Sequence, residues 1–126
     1  MSRAPVSTYR LQLRAGQGFA FAAGLVDYLD ALGVTHVYAS PYLRAEPGST
    51  HGYNMVDPTM LNPELGTEDD FRAWTDALRA KGMGHIVDIV PNHMGIATSM
   101  NRWWQDVLEN GPASLYADQL SRRLGR

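Results

Sequence analysis

The feature that most narrows the fold is the run Gly84-His85-Ile86-Val87-Asp88-Ile89-Val90, stopped by Pro91. Ile86, Val87, Ile89 and Val90 are all β-branched, and they lack the polar alternation of a strand that faces water on one side. Such a run fits a parallel strand covered on both faces, and it predicts a strand over 84–90. Asp88 lies inside that run. Burying an acid is costly unless it is paired or hydrogen-bonded. Asp88 is therefore either a structural acid satisfied by an Arg or by backbone N–H groups, or part of a site.

The remainder of the chain alternates strands with helices. Thr8 to Leu13 alternates apolar and polar side chains, which predicts a strand. Leu25, Tyr28, Leu29 and Leu32 fall at i, i+3, i+4 and i+7 and predict the buried face of a helix over 21–32, closed by Gly33. Val34 to Ala39 is a second strand. Residues 40–64 hold Pro41, Pro47, Gly48, Gly52, Pro58 and Pro63 and are expected to form a long irregular loop. Thr67-Glu68-Asp69-Asp70 is a helix start, with Thr67 as cap and three acids at the positive end of the dipole. Phe71, Trp74 and Leu78 continue at helical spacing, and Gly82 closes that helix. A further short helix is expected over 101–109. Strands alternating with helices predict an α/β fold with a parallel sheet.

Composition excludes several classes of function. The chain has 126 residues, a net charge of -2 and no cysteine. A nucleic-acid binder would carry a basic stripe, and the longest cationic cluster here is Arg122-Arg123. No segment approaches the roughly 20 apolar residues of a membrane span. The N-terminal residues lack the apolar core of a signal peptide. A cytoplasmic protein with no membrane and no nucleic-acid partner is expected. His36, His51, His85 and His93 show no metal-ligand spacing, so no metal or other cofactor is expected.

Two segments carry candidate chemistry. Asn92 and His93 follow Asp88 at the C-terminal end of the apolar strand, and that end is the active face of a parallel barrel. His51-Gly52-Tyr53-Asn54, with Asp57 close behind, sits in the loop after the second strand. A pyranose ring presents a flat C–H face and a rim of hydroxyls, so its site needs an aromatic platform and short polar groups. Tyr53, His51, His93 and Asp57 are residues of that kind. Each also has a plain structural reading, as a turn or a loop hydrogen bond. Asp88, Asn92 and His93 are expected at the end of a central parallel strand, with Tyr53 within reach. Trp103 and Trp104 are expected to pack in a core.

Together these segments resemble the α-amylase superfamily. The likeness rests on Asp88-x-x-x-Asn92-His93, on His51-Gly52-Tyr53 followed by Asp57, and on Asn62-Pro63-Glu64-Leu65-Gly66-Thr67 leading to Asp70-Phe71. Within that superfamily the chain is most similar to the maltooligosyl trehalose synthase family. The similar segments are Ser7-Thr8-Tyr9-Arg10-Leu11-Gln12-Leu13, Ser40-Pro41-Tyr42-Leu43, Pro47-Gly48-Ser49-Thr50-His51 and Asn101-Arg102-Trp103-Trp104 through Pro112. The resemblance implies the N-terminal part of a (β/α)8 TIM barrel over 1–118, about three strands and incomplete, with a divergent tail over 119–126. It implies an isomerase that turns the reducing-end α-1,4 bond of a maltooligosaccharide into an α,α-1,1 bond. Substrate-binding roles fall on Tyr53, His93, His51 and Asp57, and structural roles on Asp88 and Asn92. The nucleophile and the acid/base are expected beyond residue 126, so no catalytic residue is expected in this chain. The alternatives are another glycosidase or transglucosidase of the superfamily, or a truncated, non-catalytic glucan-binding product. The family usually has Asp where this chain has Asn54.

Overall fold

In the computed structural model, which describes residues 4–123, three strands form one parallel sheet. They are β1 (Thr8–Leu11), β2 (His36–Ala39) and β5 (Gly84–Val87), in the order β1-β2-β5. Helix α1 (Phe19–Ala31) joins β1 to β2, and α2 (Glu68–Ala80) precedes β5. Between β2 and α2 runs an antiparallel hairpin of β3 (Leu43–Ala45) and β4 (Met55–Leu61). After β5 come α3 (Arg102–Asn110) and α4 (Ala117–Arg123).

Both helices that follow the alternating pattern pack on one face of the sheet. Parallel pairing puts Tyr9, Val37 and His85 in register, and Leu11, Ala39 and Val87 two residues on. Leu11, Val37 and Ala39 join Phe19, Ala22, Val26 and Leu29 of α1 and Trp74 and Leu78 of α2 in the main core. An aromatic group fixes how the helices meet. The Phe19 ring stacks on Trp74 at 5.9 Å and meets Phe71 edge-on at 5.3 Å. Rings at such offsets contribute beyond their buried area.

That lock corrects the face predicted for α1. Its buried stripe is Phe19, Ala22, Val26 and Leu29, while Tyr28 and Leu32 are exposed. The periodic set Leu25–Leu32 missed the first turn, where Phe19 sets the rotation of the helix. For α2 the expected cap is present as a capping box: Asp70 N donates to Thr67 Oγ1, and Thr67 N donates to Asp70.

Three further expectations change. Within 40–64, residues 43–45 and 55–61 pair as a hairpin with register shifts, and the irregular loop narrows to 46–54 between them. The apolar strand ends at Val87, not Val90, and Ile89 is 67% exposed. Among the described residues β5 is an edge strand, so one side of its ladder has no partner and the last bond, from Asp88 N to Ala39 O, closes the pairing. It is not the central, doubly covered strand expected. Trp103 and Trp104 pack against a second, smaller core of Met55, Met94 and Leu120, and the Trp103 ring stacks on Tyr116 at 5.1 Å. Leu120 brings α4, an element that no local pattern predicted, into this cluster. Residues 124–126 of the expected tail lie outside the described residues.

Candidate functional site

The candidate residues gather at the C-terminal ends of the parallel strands. Asp88 follows the last residue of β5, and the hairpin that leaves β2 carries Tyr53 to the same place. The Tyr53 hydroxyl donates to Asp88 Oδ2 and accepts from Arg10 Nη2 at 2.7 Å. Arg10 comes from the middle of β1, and its Nη1 lies 3.8 Å from Asp88 Oδ2. The Arg10 guanidinium also sits over the Tyr38 ring, 5.0 Å from its centre. Arg10, Tyr38 and Asp88 point away from the helices, onto the face that a closed barrel would turn inward.

Electrostatics follow from this wedge. The hydrogen bond to Asp88 raises the Tyr53 phenol above its ordinary 10.0, because ionisation would place a second negative charge against the carboxylate. Arg10 opposes that effect without cancelling it. The bond to Tyr53 in turn raises Arg10.

His93 reaches the same loop from the other side. Its Nε2 lies 2.9 Å from the Tyr53 carbonyl oxygen, which only accepts, so the ring donates from Nε2. Its Nδ1 lies 3.1 Å from the Asn92 side-chain amide, and with the ring proton on Nε2 it accepts there once that amide turns its NH₂ group toward the ring. Both ring nitrogens are engaged, and a ligand hydroxyl reaching His93 must take over one of these bonds. His51 differs. Tyr53 N donates to its Nδ1 at 3.0 Å, so its own proton lies on Nε2. The His51 and Tyr53 rings lie 5.9 Å apart and nearly parallel, at 23°.

Gly52 lets the loop turn there. Its φ is +79°, and a Cβ would stand 2.2 Å from the Pro41 carbonyl oxygen. Ser49 Oγ donates to Asn54 Oδ1 at 2.6 Å. The oxygen retained by Asn54 does the accepting that an Asp would do.

The structure thus brings together Tyr53, His51, His93, Asn92 and Asp88. It does not bring Asp57 to them: that carboxylate sits on β4 and accepts from Thr59 N at 2.9 Å and Thr59 Oγ1 at 2.6 Å. Sequence reasoning passed over Arg10 and Glu46 as site residues. Arg10 had a visible signal, a cation in the middle of an alternating strand that needs a partner acid. A cavity of about 220 Å³ opens beside Asp88, lined by Tyr42, Leu43, Met55, Val87, Ile89 and Val90 among others. Among the described residues no three His, Asp or Glu side chains gather as a metal site would require, and no helix is long and apolar enough to cross a membrane.

Comparison with known proteins gives this geometry its context. Residues 23–125 match the family described as alpha amylase, catalytic domain. The chain is 52% identical over 119 residues to a Mycobacterium tuberculosis protein named as a maltooligosyl trehalose synthase. That match covers 90% of this chain and 16% of the relative. An intracellular maltogenic amylase of Bacillus subtilis is 38% identical over 93 residues, 74% of this chain and 15% of that protein. The structure of maltooligosyltrehalose synthase from Arthrobacter ramosus superposes with a TM-score of 0.88 at 47% identity, covering 90% of this chain and 15% of that one.

Proposed function

Since the chain belongs to the family of the alpha-amylase catalytic domain, we propose that its Tyr53–His93 cluster grips one glucose unit of a maltooligosaccharide. The three parallel strands are part of a (β/α)8 barrel rather than a closed one. The chain spans 16% of the length of the Mycobacterium relative, so the complete reaction is proposed for a barrel of which these strands are one part. That reaction moves the reducing-end α-1,4 bond to an α,α-1,1 bond within one molecule.

A carboxylate nucleophile would form a glycosyl-enzyme while an acid protonates the leaving oxygen. The released glucose, still held, would return its 1-hydroxyl in place of water. The nucleophile and the acid/base belong, in this proposal, to strands that are not among the 126 residues. The residues present orient the sugar. Tyr53 and His51 supply the flat apolar face, His93 supplies a hydrogen bond at the rim, and Asn92 holds the His93 ring. Arg10 and Asp88 hold Tyr53 in place. A cytoplasmic location is part of the proposal.

The observation that carries it is the contact of His93 with Tyr53, residues 40 apart in sequence, at the C-terminal end of the sheet. The test is a chimera in which this chain replaces the matching segment of the Mycobacterium relative. Maltopentaose should lose reducing ends without releasing glucose. His93→Ala or Tyr53→Ala in the chimera should lower kcat/KM by about tenfold or more, as expected when transition-state contacts are lost. Glucose release with no loss of reducing ends would assign the site to a hydrolase instead. Unaltered activity in both variants would remove these residues from the site.

A further inference from the structure

The two loops that form the sugar site are joined by a carboxylate that faces neither the site nor solvent. Glu46 lies at the start of the hairpin loop and is only 6% exposed. Its Oε1 accepts from Ala97 N at 3.1 Å and from Thr98 N at 3.4 Å, and its Oε2 accepts from Thr98 Oγ1. All three donors come from the loop that carries Asn92 and His93. Glu46 N, meanwhile, donates to Asn54 O at 3.0 Å, beside Tyr53. One residue therefore touches both loops.

Neighbouring groups are shaped around it. Gly95 N donates to Met55 O at 2.7 Å. A Cβ on Gly95 would stand 2.8 Å from Asn54 O and 2.9 Å from Glu46 Oε1, so the loops approach too closely for any other residue. Asn101, fully buried, donates to Gly95 O at 2.9 Å and caps α3 by accepting from Trp104 N at 3.0 Å. No cation is within ion-pair distance of Glu46 among the described residues; its partners are backbone N–H groups and one hydroxyl. A buried carboxylate without them would be costly. The 97–98 turn and Glu46 hence hold each other in one arrangement.

We infer that Glu46 is a positioning residue: its clamp on Ala97 and Thr98 fixes the His93 loop against the Tyr53 loop and so sets the two sides of the sugar site. The inference deepens the glucan proposal and rests on it for the identity of the ligand. The contact geometry does not. His93 touches the Tyr53 carbonyl only if the loops keep their separation, and Glu46 bridges them a few residues behind that contact.

The experiment uses the 126-residue chain labelled with ¹⁵N, with Glu46→Gln and Thr98→Val as variants. Glu46→Gln keeps the shape and turns an NH₂ group toward the donors. Thr98→Val removes one donor and leaves the acid. Amide exchange at Ala97 and Thr98, the His93 ring-nitrogen shifts and urea stability are read without ligand. Shift changes at Tyr53 are read on titration with maltopentaose. Glu46→Gln should speed exchange at both amides about tenfold or more, the effect of losing one charged hydrogen bond. It should also move the His93 Nε2 signal off its bonded position and weaken maltopentaose binding. Thr98→Val should do the same to a smaller extent. Loss of urea stability with an unchanged His93 ring would make Glu46 merely structural and overturn the inference. If Glu46→Gln does not fold, Thr98→Val decides on the same readouts. If the ring moves in the variants but maltopentaose never perturbs Tyr53 in the parent chain, the clamp stands and the glucan proposal fails.

Discussion

The hydroxyl of Tyr53 donates to the carboxylate of Asp88, 35 residues further along the chain, and this bond fixes the ring that faces the candidate sugar site. Arg10 approaches the same hydroxyl from β1. A tyrosine held at its far end by a cation and an acid cannot swing freely. Its ring is set before any ligand arrives, which lowers the cost of binding.

The first prediction concerns that phenol. Its folded value is raised above 10.0, so the folded chain holds the proton more tightly than the unfolded chain. The resulting stability is fully present below the ordinary phenol value and is lost as pH rises through the folded value. Tyrosinate absorbance at 295 nm should show two late-ionising groups, of which one disappears in Tyr53→Phe. Tyr42, raised by burial alone, should persist in that variant. Asp88→Asn should bring Tyr53 down, because the bond to Asp88 is the largest cause of the rise. Arg10→Gln should push it further up, because Arg10 opposes that rise. Equal shifts in the same direction from both variants would contradict the wedge.

A second prediction concerns His85. Burial beside Trp74, with ring centres 4.6 Å apart, lowers its basicity from the ordinary 6.5. Its Nε2 and Trp74 Nε1 have no hydrogen-bond partner among the described residues. The depressed value means the unfolded chain takes up the proton first. Stability is therefore complete above pH 6.5 and falls as pH drops from there toward the folded value. His85→Leu should flatten the dependence in that window, as read by urea melts followed through tryptophan fluorescence. An unchanged slope would mean that His85 is not the group responsible.

Asp70 makes the third case, on the surface. The Thr67 backbone N–H is the main reason its carboxyl lies below the ordinary 3.8. The stability it contributes is present above 3.8 and is lost as pH falls through the folded value. Thr67→Ala and Asp70→Asn should each fray the start of α2, shown by faster amide exchange over residues 68–71. Loss of both should cost little more than loss of either, since the two bonds form one reciprocal box.

How much of this was legible in the sequence depended on the range of the interaction. The start of α2 is written in four adjacent residues, and it forms where those residues say. The alternation of strands and helices was equally local. The hairpin was not, because Pro47, Gly48, Gly52 and Pro58 read as loop punctuation. Pro58 nevertheless sits inside β4, a strand with only one hydrogen-bonded neighbour among the described residues, where a missing N–H is tolerated. The end of the apolar run at Val87 depended on whether a second strand pairs with it, which local pattern does not report. The same holds for the site. His51, Tyr53, Asp88 and His93 stood out by residue type and motif. Arg10, which holds Tyr53 from 43 residues away, was marked only as a cation inside an alternating strand, with nothing local to name its partner. Glu46, 51 residues from the Ala97 N–H it accepts from, had no local mark.

The last prediction tests whether the hairpin loop is held by its sharpest turn. Gly52 combines φ of +79° with the close approach to the Pro41 carbonyl, and Ser49 Oγ accepts from its N–H at 3.0 Å. Gly52→Ala must therefore both adopt a left-handed backbone and move Pro41 O, which here is backbone and not a flexible side-chain tip. Strain of this kind costs on the order of 1–3 kcal/mol, enough to lower the urea midpoint measurably. The damage should be local as well. Gly52 is flanked by His51 and Tyr53, so a shifted turn pulls the Tyr53 hydroxyl away from Arg10 and Asp88, and the late phenol ionisation should move toward its ordinary value. Gly48→Ala is the control. Its φ of +77° imposes similar backbone strain, but a Cβ there meets open space, and it lies outside the Tyr53 turn. It should lower stability while leaving the Tyr53 ionisation where it was. If both variants shift that ionisation alike, the turn at Gly52 has no special hold on the site.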